Sequence, residues 1–104
     1  MNCTDPISLT ILAIATAAGH TYSPSYDCTQ FSFALGNALQ ANNCTFRMVT
    51  GWYGTKGKAR YWHRWIETPE YGIEATPNSI STFTYSPLYQ KSYATKWNWS
   101  HAYG

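Results

Sequence analysis

Charge is scarce in this chain. Only 12% of its 104 residues are charged, seven Lys and Arg against five Asp and Glu, for a formal net charge of +2. That balance is too weak to argue for a nucleic-acid or anionic-membrane partner. No apolar run reaches the length a membrane-spanning helix needs. There is no close ligand pair such as Cys-x-x-Cys, which removes the commonest zinc signature. No internal repeat and no linker interrupts the chain, and its length suits one domain, residues 1–104, with one core. Cysteine is also sparse: with three, at most one disulfide can form and one thiol stays free. Cys3 and Cys44 can pair if their segments meet, leaving Cys28; three reduced thiols in a cytosolic protein are the alternative.

Aromatics are abundant, at 17% with nine Tyr and five Trp. With many Ser, Thr and Asn they make a polar, hydroxyl-rich surface. That composition favours an extracellular or cell-envelope setting over the cytoplasm.

The first half reads as helical. Ile7–Ala18 is apolar, and Ala15-Thr16-Ala17 looks like a signal-peptide cleavage site, but no Lys or Arg precedes it. Asp5 followed by Pro6 reads instead as an N-cap with proline in the first turn. Ile7, Ile11, Ile14 and Ala18 then share a face, and we expect a buried first helix belonging to the folded domain. A loop follows over 19–26. Asp27 with Gln30 forms a capping box for a second helix. Its core face is Phe31, Leu35, Ala38 and Leu39, and Asn42-Asn43 ends it.

The second half changes period. Thr45–Tyr53 reads as a strand, Gly54–Lys58 as a turn, Arg60–Glu67 as a strand, Pro69–Gly72 as a turn and Ile73–Thr76 as a short returning strand. On the second strand Tyr61, His63, Trp65 and Glu67 share a face. Beyond Pro77 the signal weakens; Phe83 and Tyr85 suggest another strand, and Trp97, Trp99, His101 and Tyr103 alternate. The expected fold is α+β, two helices packed on a small antiparallel sheet.

Three residues carry the candidate chemistry. Cys28 sits at a capped helix start, where partial positive charge and unpaired N–H groups favour a thiolate. His63 can take and return a proton, and Glu74 on the next strand can orient its ring. A tight turn near Thr68–Tyr71 puts Glu74 opposite His63 or one diagonal step away, with the shared face left to the register. Taken singly, each has a plainer role: an inert half-buried thiol, a hydrogen-bonded structural histidine, a solvated carboxylate. Trp52, Tyr53, Trp62 and Trp65 read as core or cleft walls, with a stacking surface for sugar or peptide as the alternative.

Four linked segments resemble one family. Asp27-Cys28-Thr29-Gln30-Phe31-Ser32, Phe46-Arg47-Met48-Val49-Thr50-Gly51-Trp52, His63-Arg64-Trp65-Ile66-Glu67 and Gly72-Ile73-Glu74-Ala75-Thr76-Pro77 together are similar to the core of the transglutaminase-like superfamily. Its pattern is a Cys at a helix start, an Arg-x-Val-x-Gly-aromatic strand, a His-x-Trp-x-Glu strand and an Asp-x-Thr-Pro segment. The resemblance spans about residues 20–80. It implies a papain-like fold with Cys28 as nucleophile, His63 as base and Glu74 as third member. Glu74 stands where the family usually has Asp, and Arg64 where it prefers a small residue.

For small microbial members the resemblance implies a cysteine peptidase or amidase, working through a thioester, with transamidation less expected than hydrolysis. The expected partner is a peptide, protein or cell-wall peptide, and the expected state a monomer. No metal or organic cofactor is implied, and calcium has no evident site among so few acids. The Cys28 backbone N–H is the first oxyanion donor, with Tyr22, Tyr26 and Gln30 candidates for a second and Trp65 for substrate contact. The alternative from another class is a non-catalytic, aromatic-rich polymer-binding or structural module on the same scaffold.

Overall fold

A computed structural model describes residues 1–54, 61–77, 79–84 and 89–94. Two helices, α1 (Pro6–Ala17) and α2 (Cys28–Ala41), precede five strands: β1 (Arg47–Tyr53), β2 (Tyr61–Glu67), β3 (Gly72–Glu74), β4 (Ser81–Phe83) and β5 (Tyr89–Ala94). The sheet order is β4-β3-β2-β1-β5, and every pairing is antiparallel. The architecture is therefore α+β. Of the expected features, the 54–58 turn beyond Gly54, Arg60, Tyr85 and the stripe Trp97, Trp99, His101 and Tyr103 lie outside the described residues.

Both helices start where their caps direct. The Asp5 carboxylate accepts from the N–H groups of Ile7 and Ser8 at 3.3 and 3.2 Å, with Pro6 opening α1 where a missing N–H costs nothing. Asp27 accepts from the Thr29 N–H at 2.9 Å, and Gln30 Oε1 accepts from the Asp27 N–H at 2.9 Å. α2 ends at Asn42, and Asn43 takes the left-handed conformation with φ 58°, which asparagine tolerates better than most residues.

The orientation of α1 differs from expectation. Ile7, Ile11 and Ile14 are 69, 61 and 53% exposed, while Leu9, Ala13 and Ala17 face inward. Both stripes repeat at helical spacing in a helix that is apolar almost all round. The fold buries the slimmer one, whose alanines let α1 lie close to its neighbours. One core joins Leu9, Ala13 and Ala17 to Phe31, Leu35 and Leu39 of α2 and to Met48, Ile66 and Ile73 of the sheet. Ala38, expected in that face, is half-buried. Leu9→Ala is expected to cost about 2–5 kcal/mol in chemical denaturation, because the cavity it leaves is walled by packed side chains. Ile11→Ala is expected to change stability by less than about 0.5 kcal/mol.

Two further links fix the layers. Cys3 and Cys44 form a disulfide. It ties the segment before α1 to the residues after α2 across a sequence separation of 41, worth roughly 4 kcal/mol in lost chain entropy of the unfolded state. The hydroxyls of Thr10 and Thr82 lie 2.7 Å apart, pinning α1 to β4. Among the described residues no helix is long and apolar enough to cross a membrane.

Candidate active site

The site is built on the pairing of β1 with β2. Arg47 faces Glu67, Val49 faces Trp65 and Gly51 faces His63, so the two sequence segments meet residue for residue. Arg47 Nε and Nη2 donate to Glu67 Oε1 at 3.1 and 2.9 Å, locking one end of the ladder. At the other end Gly51 brings no side chain against the His63 ring. The β2–β3 turn closes with the Thr68 N–H donating to the Tyr71 carbonyl at 2.8 Å.

That turn sets the register left open by the sequence. Ile66 pairs with Ile73 and Glu67 with Gly72. Continuing by one residue puts Glu74 across from Trp65, on the same face as His63 and one diagonal step from it. Gly72 leaves room for the neighbouring strand: the Phe83 ring of β4 lies where a Cβ at position 72 would fall.

Glu74 uses both oxygens. Oε2 lies 2.5 Å from His63 Nε2, and Oε1 accepts from the Thr76 N–H at 2.9 Å. His63 and Glu74 are 5 and 2% exposed, so bulk water scarcely competes for either. With Nε2 held by Glu74, Nδ1 is the nitrogen left for the thiol, and Cys28 lies near enough to the ring to raise its pKa. Cys28 is the one free cysteine and is half-buried.

α2 is fastened where this matters. One turn after Cys28, the buried Ser32 hydroxyl donates to the carbonyl of Arg64, the residue beside His63, at 3.2 Å. The imidazole is also flanked by two rings. Trp65 stacks at 6.1 Å and 24°, and Tyr53 meets it edge-on at 5.8 Å and 63°.

Burial is the largest single influence on the His63 pKa and lowers it, but the hydrogen bonds and charges of Cys28 and Glu74 together outweigh it. The result is a pKa raised from 6.5 to about 9. A folded value above the unfolded one means protonation stabilises the fold. That contribution is whole below about pH 6.5 and is lost as pH rises through about 9. The urea midpoint is therefore expected to fall between pH 6.5 and 9.5, and to fall less in His63→Gln.

The remaining candidates separate by position. Tyr22 is 55% exposed, and its pKa is raised by partial burial, then by the charges of Cys28 and Asp27. Tyr26 is stacked on His20 at 4.2 Å and meets Phe31 edge-on at 4.7 Å. Gln30 has its Oε1 in the helix cap. Trp65 is 1% exposed, so it backs the His63 ring and does not present a surface to substrate. Trp52 and Trp62, expected as core or cleft walls, are 40 and 44% exposed and so not core, and they pack edge-to-face at 4.9 Å.

Sequence reasoning passed over Ser32 and the Thr76 N–H. The first was visible only as a polar residue on the α2 core face, one helical turn from Cys28; the second had no signal at all. A hollow of about 220 Å³ lies at the disulfide end of α2, lined by Cys3, Asn43, Thr45 and Glu70 among others. A helix of 14 residues separates that end from Cys28 by roughly 20 Å, so the hollow is no part of this site. Among the described residues no group of three or more His, Cys, Asp or Glu is placed to hold a metal ion.

No protein-family model, no curated protein and no solved structure matches this chain.

Proposed function

We propose that the chain is a cysteine-dependent amidase or peptidase with a papain-like, transglutaminase-like core. In this reading the Cys28 thiolate attacks the carbonyl carbon of an amide or isopeptide, and the C–N bond breaks to leave an acyl-thioester. His63, protonated in the resting site, gives its proton to the departing amine. It then takes one from water as the thioester is hydrolysed; a second amine in place of water would give transamidation. Glu74 keeps the ring turned with Nδ1 toward sulfur and offsets its positive charge. The observation that supports the reading is the convergence of a helix start and two strands, with buried Glu74 hydrogen-bonded to the His63 ring and half-buried Cys28 acting on the same ring.

The disulfide beside a free thiol fits an oxidising compartment. With so little charge, that supports an extracellular or cell-envelope substrate such as a cell-wall peptide. Acyl capture tests the function. After brief exposure to peptide p-nitrophenyl esters, mass spectrometry is expected to find the acyl group on Cys28, with Cys28→Ala unmodified. Acylation spread over lysines and tyrosines, with Cys28 no more modified than they are, would refute the reading.

The exposed Trp52–Trp62 pair favours a second reading, a polymer-binding module on the same scaffold. That protein would bind insoluble cell-wall polymer through the two rings, lose retention in Trp52→Ala/Trp62→Ala, and form no acyl adduct.

A further inference from the structure

Alternation along β2 leaves one backbone carbonyl with no strand beside it. The Thr68 N–H donates to the Tyr71 carbonyl, and residues two apart on a strand turn their N–H and C=O groups the same way. Ile66, paired with Ile73, and Arg64 therefore turn theirs toward β3. The same register would set Ala75 across from Arg64, but β3 ends at Glu74. The chain beyond it is already turned aside, with the Thr76 N–H donating to Glu74 Oε1 at 2.9 Å. The Arg64 carbonyl thus points past the end of β3, and a partly buried acceptor left without a donor is costly.

Ser32 supplies that donor. Its hydroxyl reaches the Arg64 carbonyl from α2 at 3.2 Å, and the residue is buried completely. A serine inside a helix has a nearer acceptor, the carbonyl four residues back, which here belongs to Cys28. Ser32 donates across to the sheet instead. The other contacts of this helix face, from Phe31, Leu35 and Leu39, are apolar and set no direction. A hydroxyl bonded to one particular carbonyl fixes how far α2 lies along β2. Cys28 stands about 6 Å, one turn, before Ser32, and His63 immediately precedes Arg64. The bond therefore joins the two elements that carry the thiol and the imidazole, at the place where β3 parts from β2.

We propose that Ser32 is a positioning residue for the reaction inferred above: its bond to the Arg64 carbonyl holds the start of α2 where the Cys28 sulfur meets the His63 ring. Ser32 touches no reacting atom and transfers no proton. Without its hydroxyl, non-directional packing holds α2 on the sheet and lets the helix shift along β2. The inference rests on the acyl-transfer reading and adds to it a requirement on spacing.

The test compares wild type with Ser32→Ala, Ser32→Thr and Thr10→Ala. The last removes a hydroxyl link of the same kind remote from the site, between α1 and β4. Turnover of p-nitrophenyl acetate, corrected with Cys28→Ala, is expected to fall about 10- to 100-fold in Ser32→Ala with KM little changed, the scale reached by small misplacements of reacting groups. The NMR midpoint of the His63 ring is expected to drop from about 9, because the sulfur no longer sits beside it. Ser32→Thr, which keeps the hydroxyl, is expected to recover most of both losses, and Thr10→Ala to match wild type in both readouts. Wild-type turnover and midpoint in Ser32→Ala overturn the assignment and leave the acyl-transfer reading intact. Equal losses in Thr10→Ala, or none recovered by Ser32→Thr, also overturn it, since general loosening of the fold then accounts for them. A Ser32→Ala protein with no cooperative thermal melt does the same, by making the bond a requirement of the whole fold. Absence of turnover in wild type above the Cys28→Ala baseline removes the underlying reading, and this inference with it.

Discussion

His63→Ala is expected to slow iodoacetamide labelling of Cys28 at pH 6.5 by at least tenfold. The physical reason is the imidazolium beside the sulfur, which persists to about pH 9. An ordinary thiol is ionised to only about 1% at pH 6.5, given a reference value near 8.5. An imidazolium beside the sulfur offers a counter-charge to the anion that attacks the reagent, and His63→Ala removes it. Cys3 and Cys44 are tied in the disulfide, so unreduced protein reports on Cys28 alone. Labelling is read as incorporated reagent against time from pH 5 to 9. A wild-type profile that rises only near pH 8.5, unchanged by His63→Ala, would leave Cys28 as an inert thiol.

The second large effect is at Glu74, and here the structure sharpens a question raised by the sequence. Glutamate is one methylene longer than the aspartate the family pattern has. That length is used: the side chain spans from β3 to His63 Nε2 across a diagonal pair while Oε1 holds the Thr76 N–H. Aspartate at 74 could keep one of these bonds but not both. Glu74→Asp is therefore expected to lower kcat by about tenfold or more. Glu74→Gln, which keeps the shape and removes the charge, is expected to lower it by about 10²–10⁴-fold. In Glu74→Gln the His63 pKa is expected to drop, since burial would then meet less opposition. Full activity in Glu74→Asp would mean that the Thr76 contact has no part in holding the ring. Thermal melts of both variants keep the comparison clear of misfolding.

How far the sequence revealed this arrangement varies with the range of the interactions concerned. Helix starts are local: Asp5-Pro6 and Asp27-x-x-Gln30 each contain their own hydrogen-bond partners, so both boundaries were legible. The same holds for the Asn43 terminator. The inward face of α1 was not, because Leu9/Ala13/Ala17 and Ile7/Ile11/Ile14 have the same period, and only the shape of the surface beneath decides between them. β5 was also missed. Its Gln90, Lys91, Ser92 and Ala94 are weak strand formers, and pairing with β1 supplies what local preference does not.

For the site, the order Cys28, His63, Glu74 was readable, but the contact between the last two was not. It depends on the Ile66–Ile73 register, a property of the closed turn and not of either strand alone. The Cys3–Cys44 bond was one of two open possibilities for the same reason: it joins elements that meet only once α1 and α2 have packed.

The most direct test of the account is an NMR pH titration of the His63 ring in wild type, Cys28→Ser and Glu74→Gln. If Cys28, His63 and Glu74 form one coupled unit, His63 titrates near 9 in wild type and moves clearly downward in each variant, because each removes a partner of the charged ring. A wild-type midpoint near 6.5, unmoved by either substitution, would contradict it.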